Sequence, residues 1–204
     1  NNQNHFKKLK EKIFSLKKSE KDLVNLTFYL STPPHSYEDI ISNIIQSGLN
    51  KEKEGYSRIV IEKPFGQDLI SSKNLNQLLK SGFNENQIFR IDHYLGKETV
   101  QNILVSRYSN LIFNALWNNK YISYVEITAA ESIGIGNRGG YYDKSGALKD
   151  MFQNHLLELL CLIAMEDPKE NNPESIRDEK IKVLKSIRDI NFDEHIVRGQ
   201  YVES

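Results

Sequence analysis

The sequence predicts an α/β domain followed by an α+β half, and three observations carry that expectation. Short apolar runs at 23–30, 58–61 and 88–91 alternate with amphipathic helical stretches, the rhythm of a parallel sheet. Each run stops at a polar or proline-rich turn, so the turns fall on one sheet edge. Beyond Gly96 that rhythm gives way to a helix, a long alternating run, a glycine-rich loop and further helices. The change of pattern places a boundary near Ile91–Tyr94, giving units 1–91 and 92–204.

Asn1–Lys18 reads as a basic amphipathic helix carrying Phe6, Leu9, Ile13, Phe14 and Leu16. Leu23–Leu30 is a strand ended by Ser31-Thr32-Pro33-Pro34, because proline cannot continue a central strand. Ser36 stands as an N-cap, with Glu38 and Asp39 in the first turn of the helix it opens. Tyr37, Ile40, Ile41, Ile44 and Ile45 share one face of that helix, which ends at Gly48 or Gly55. Arg58–Ile61 is a second short buried strand, halted by Lys63-Pro64-Phe65-Gly66. A helix over Asp68–Lys80 follows, with Gly82 as its stop, and Ile88–Ile91 is the third strand. A further helix runs to about Tyr108, and Tyr121–Thr128 alternates as a strand. Gly146–Glu166 is a long helix stopped near Pro168, and Ser175–Ile187 a last charged one.

Composition narrows the class. The 204 residues are 39% apolar and 26% charged, as in a globular protein with a sizeable core. A formal net charge of zero argues against nucleic acid or an anionic membrane as the main partner, so any anion site is local. The single Cys161 excludes an internal disulfide and lies in an apolar run, as a buried thiol of a reducing, cytoplasmic protein would. No apolar run is long enough to span a bilayer, and the polar start is no signal peptide. The chain begins without Met and reads as a piece of something longer.

The chemistry concentrates in Arg90-Ile91-Asp92-His93-Tyr94-Leu95-Gly96-Lys97. An apolar strand ends there in an acid, an imidazole and a phenol, then a glycine and a lysine that open a helix. Backbone N–H groups and the helix dipole converge at such a junction, which is where α/β proteins place ligands. His93, Tyr94 and Lys97 offer forked donors suited to a phosphate, and Asp92 can orient a base. Lys63 stands at the tip of the second strand, where Pro64 fixes the backbone, in cis or trans, and holds the lysine inward. His155, mid-helix in an apolar stretch, reads on its own as a core residue; Glu131 and Asp150 read as surface acids. No histidine or cysteine spacing suits zinc, so no structural metal is expected. Gly134-Ile135-Gly136-Asn137-Arg138-Gly139 matches G-x-G-x-x-G formally, but Gly140–Ser145 separate it from the next helix, so it reads as a loop.

Several of these segments resemble one family in order and spacing. Arg58–Gly66, Arg90–Lys97, Arg138–Tyr142, Lys149–Glu166, Arg177–Lys185 and Gly199–Val202 are similar to the matching segments of glucose-6-phosphate dehydrogenase. The resemblance runs from about Leu23 to the last residues, and departs at Ser31-Thr32, where the family usually has Ala-Leu. It implies a partial Rossmann-type coenzyme domain, then the start of an α+β domain with a large, mainly antiparallel sheet. The implied reaction is hydride transfer from C1 of glucose 6-phosphate to NADP, the first step of the oxidative pentose phosphate pathway.

The resemblance makes His155 the general base, with Asp92 orienting it and raising its proton affinity. It puts His93, Tyr94 and Lys97, aided by backbone N–H groups, on the substrate phosphate. Lys63 touches both sugar and coenzyme, Glu131 and Asp150 take sugar hydroxyls, and Pro33, Pro34 and Tyr37 lie on the coenzyme side. The intact protein is implied to be a dimer or tetramer, and this chain alone is expected to be inactive. Other readings stay open at this point: a related two-domain sugar oxidoreductase, a phosphosugar isomerase, and a non-catalytic phosphosugar-binding fragment.

Overall fold

The sheet grows in one direction, and that decides where its helices go. In the computed structural model, residues 3–17, 19, 22–53, 55–130, 132, 134–170 and 172–199 are described. Helix α1 (Gln3–Ser15) leads to β1 (Leu26–Leu30), α2 (Tyr37–Ser47), β2 (Ser57–Glu62), α3 (Leu69–Lys80) and β3 (Ile88–Ile91). The strands pair in parallel in the order β1-β2-β3, with Leu30 beside Ile61 and Ile61 beside Arg90. Right-handed crossovers between strands added on the same side put both connecting helices on one face. The core lies there: Ile41 and Ile44 of α2, Ile59 and Ile61 of β2 and Leu79 of α3 are fully buried. Each such side chain contributes about 1.5–3 kcal/mol on burial. Phe6 and Ile13 of α1 pack against the same core, and Lys10 Nζ donates to the Ser47 carbonyl at 2.9 Å.

β2 is buried on that face only. Ser57, Ile59 and Ile61 point inward, while Arg58 is exposed, its guanidinium 4.3 Å from the Tyr56 ring centroid and 5.6 Å from that of Phe89. The expectation of a wholly buried strand fails for this topological reason.

The described chain packs as two compact units: Asn1–Lys97 with Ala130–His155, and Glu98–Ala129 with Leu156–Ser204. After β3 come α4 (Glu98–Tyr108), α5 (Leu111–Leu116), a 3₁₀ turn (Gly136–Arg138), α6 (Gly139–Ala147), a π-helical segment (Leu148–Leu156), α7 (Leu157–Ala164), α8 (Pro173–Ser186) and α9 (Phe192–His195). In the second unit Cys161 is buried, as expected.

Several local expectations change. Ser36 precedes α2 but makes no capping bond, because it is the last residue of a 3₁₀ turn, Pro34–Ser36, and already has helical backbone angles. Asp68, expected as the first residue of a helix, is instead the N-cap of α3, accepting from Ser71 N. Gly48, at φ 70°, ends α2. Gly82 has a different role from a left-handed stop: a Cβ there would meet Ile45 Cγ1 at 2.4 Å, so it permits close packing. Tyr121–Thr128 is not a strand, and Tyr121, Tyr124 and Val125 are exposed. Alternation satisfies the side-chain rule for a strand, but its N–H and C=O groups also need a neighbour, and no described segment pairs with it. The antiparallel sheet is therefore not formed among the described residues. The helix expected over Gly146–Glu166 is not continuous: Gly146, at φ 62° and ψ 175°, breaks the helical geometry inside α6, one residue before its end, and a π-helical segment follows. Since α6 begins at Gly139, a helix does follow the glycine motif directly; among the described residues no strand precedes the motif as a dinucleotide turn requires.

Candidate active site

The C-terminal ends of β2 and β3 and the π-helical segment bring three distant residues together within the first unit. Asp92 follows β3 and is buried. Lys63 follows β2, and the Lys63–Pro64 bond is cis. Its ammonium donates to Asp92 Oδ2 at 2.8 Å and to the backbone carbonyl of Asn154 at 2.7 Å. His155 is 5% exposed, with Nδ1 3.2 Å from Asp92 Oδ1. That pair is within ion-pair distance but off the line of a hydrogen bond, and Nδ1 has no hydrogen-bond partner. Asp92 Oδ1 also accepts the Tyr94 N–H at 3.0 Å, which fixes the carboxylate's orientation.

Burial works to raise the Asp92 carboxyl, but the Lys63 hydrogen bond, the Tyr94 N–H and the charges of Lys63 and His155 outweigh it. The carboxyl is held below its ordinary range and is ionised. His155 moves the other way from expectation. Burial lowers its imidazole pKa, His93 and Lys63 lower it further, and Asp92 only partly compensates. The ring is therefore neutral near pH 7, the form a general base needs. With Nδ1 facing Asp92, Nε2 is the nitrogen left to take a proton.

Aromatic contacts hold that ring. Tyr94 stacks on His155 with centroids 4.1 Å apart and an interplanar angle of 11°, and His93 meets it edge-on at 4.7 Å. Lys97 Nζ lies 3.9 Å from the Tyr94 ring centroid. His93 and Lys97 are exposed beside the buried pair, so a cationic donor and an imidazole face solvent there. The N–H groups of Leu95, Gly96 and Lys97 donate to the carbonyls of Asp92, His93 and Tyr94, closing a turn, and the helix opens at Glu98.

The remaining candidates are spread more widely. Asp150, in the π-helical segment, accepts from the Tyr141 hydroxyl at 3.2 Å. Pro33 and Pro34 are exposed at the end of β1, whereas Tyr37 is 2% exposed and belongs to the core. Glu131 and the segment Gln200–Val202 lie outside the described residues. Sequence reasoning missed the Asn154 carbonyl, which no residue type signals, and the ring packing of Tyr94. It also missed that Asp92, His93 and His155 each place a potential metal-ligating atom within 4.8 Å of the others. Linear spacing rules cannot see ligands drawn from separate elements.

Residues 1–102 match the family described as "Glucose-6-phosphate dehydrogenase, NAD binding domain", and residues 104–204 that described as "Glucose-6-phosphate dehydrogenase, C-terminal domain". The glucose-6-phosphate 1-dehydrogenase of Treponema pallidum (strain Nichols) is 54% identical over 181 residues, 87% of this chain and 35% of that protein. A solved structure of a glucose-6-phosphate dehydrogenase in complex with its substrate glucose 6-phosphate superposes with a TM-score of 0.81 at 42% identity, covering 93% of this chain and 38% of that one. The glucose-6-phosphate 1-dehydrogenase of Mycobacterium avium gives a TM-score of 0.84 at 36% identity, covering 98% and 42%. The chain spans little more than a third of the length of the curated relatives it matches.

Proposed function

The chain belongs to the glucose-6-phosphate dehydrogenase family, and from that premise we propose that a full-length enzyme carrying it oxidises glucose 6-phosphate at C1. The product is 6-phosphogluconolactone and the coenzyme NADP. The observation that supports this reading best is the linked set Lys63–Asp92–His155, an ionised buried carboxylate between an ammonium and a neutral imidazole.

In this reading His155 Nε2 takes the proton of the C1 hydroxyl while the C1–O bond gains double-bond character. Asp92 stabilises the imidazolium that forms, and Tyr94 keeps the ring in plane. His93, Tyr94 and Lys97 bind the substrate phosphate through side chains, and Asp150 and Glu131 take sugar hydroxyls. NADP, when bound, supplies the acceptor for the C1 hydride. The residues present suit its nicotinamide end: exposed Pro33 and Pro34 follow β1, and Lys63 follows β2, adjacent strands in register at Leu30 and Ile61. Tyr37, packed in the core beside that turn, supports its shape.

Residues 1–91 would then be the later part of a coenzyme domain and 92–204 the beginning of a substrate and dimerisation domain, in a cytoplasmic homo-oligomer. Among the described residues no helix is long and apolar enough to cross a membrane. An isomerase finds no support among the curated relatives, which are dehydrogenases. The test is coenzyme reduction by the full-length enzyme with glucose 6-phosphate. His155→Asn should lower turnover by on the order of 10²–10⁴ while the sugar still binds. Near-normal turnover in that variant would remove His155 from the mechanism.

A further inference from the structure

We propose that Asp92, His93 and His155 form a capture site for a borderline divalent cation such as Zn²⁺, which switches the site off by taking the base and its carboxylate as ligands. The three donor atoms lie within 4.8 Å of one another. Two imidazoles and a carboxylate with a fourth position open to water are a donor set that zinc accepts and magnesium does not favour. The Asp92 Oδ1–His155 Nδ1 pair carries the argument furthest. Its 3.2 Å separation without hydrogen-bond alignment leaves a deeply buried nitrogen unpartnered. Ligands held about 2.0–2.1 Å from a tetrahedral metal are themselves roughly 3.3–3.4 Å apart. The buried pair is thus already spaced as one edge of such a polyhedron.

His93 offers the third donor from the exposed side, within 4.8 Å of the other two. Lys63 stays on Asp92 Oδ2, so the cation shares Oδ1 with the Tyr94 N–H and meets a positive neighbour. That repulsion makes occupancy reversible, as a regulatory ion requires and a resident one does not. The inhibitory half of the proposal rests on the dehydrogenase reading; the binding half does not.

The experiment titrates the full-length enzyme with Co²⁺, read by its visible ligand-field absorption, and with Zn²⁺ against glucose 6-phosphate turnover. Absorption bands should grow on Co²⁺ addition and be displaced by Zn²⁺. Zn²⁺ inhibition should ease as the phosphosugar concentration rises. His93→Ala, an exposed position at which circular dichroism should not change, should weaken Co²⁺ binding by about tenfold or more. His5→Ala, at an exposed imidazole on α1, should leave it unchanged. Bands that persist at full affinity in His93→Ala, or are lost in His5→Ala, overturn the site. An enzyme that turns over the sugar without developing bands loses the metal site alone. One that develops His93-dependent bands without turnover keeps the site and loses the dehydrogenase reading.

Discussion

Asp92 and Arg107 are 8% and 5% exposed, but the two units handle their buried charges in opposite ways. Arg107 donates to the carbonyls of Leu162 and Met165 at 2.6 and 2.7 Å, while Trp117 Nε1 donates to the Ile163 carbonyl and the Tyr108 hydroxyl to that of Met165. These carbonyls lie at the C-terminal end of α7, where a helix leaves acceptors unsatisfied and its dipole is negative. The guanidinium is a cap, enclosed by the rings of Tyr108 and Trp117. Asp92 faces an opposite charge on one oxygen and a proton acceptor on the other. A buried charge bonded to backbone holds a fold together. A buried charge set against a neutral base is equipped for proton transfer.

Substitutions can break that contrast, beginning with the largest effect. Asp92→Asn keeps the shape but removes the charge, and should lower turnover of the full-length enzyme by on the order of 10²–10⁴ while the protein stays folded. Loss measured mainly in thermal unfolding would make Asp92 structural, like Arg107. Arg107→Met should do the reverse: the Leu162 carbonyl loses the guanidinium and the Met165 carbonyl keeps only the Tyr108 hydroxyl, which costs roughly 2–4 kcal/mol in urea unfolding. Turnover per folded molecule should hold, and a matching fall in kcat would tie the cap to the chemistry. Lys97→Ala, at an exposed cation, should spare stability and raise the KM for the phosphosugar about ten- to hundredfold. An equal loss of coenzyme affinity would argue against phosphate binding.

The smallest effect is on pH dependence. Because the His155 pKa is lowered, chiefly by burial, kcat/KM should lose its acid limb below the ordinary imidazole range. Asp92 is the main influence opposing that shift, so Asp92→Asn should move the limb to still lower pH. A limb displaced upward would mean that the carboxylate does not act on the ring. The stability linkage has the same sign. Folding favours the neutral ring, so the contribution of His155 is present above the unfolded pKa and is lost as pH falls through the folded one.

Much of the first unit was legible because its signals are local. Isoleucine spacing in α2 and the prolines after β1 each act within a few residues. Arg90–Lys97 was equally plain, since the strand end and its polar residues are contiguous. His155 was not, because its role depends on two partners reached only through folding; by itself it reads as a core histidine, and it needed the family resemblance. Tyr121–Thr128 shows the opposite failure, a strand pattern whose pairing partner is not among the described residues. The direction of the His155 shift was misjudged for a physical reason as well. A nearby carboxylate can be inferred from sequence, but the depth of burial and the positive neighbours that outweigh it cannot.

The Lys63 ammonium joins a strand tip to the Asn154 carbonyl, 91 residues further along the chain. Strands β1 and β2 meet across a much shorter stretch, with Leu26 opposite Ser57. Closing the longer loop costs about 1 kcal/mol more chain entropy than closing the shorter. The sheet can therefore assemble before His155 reaches Asp92 and Lys63. A chain in which only Leu26–Ile91 had folded would present Asp92 and Lys63 without His155, so the completed Lys63–Asp92–His155 set becomes a late reporter of complete folding of the unit.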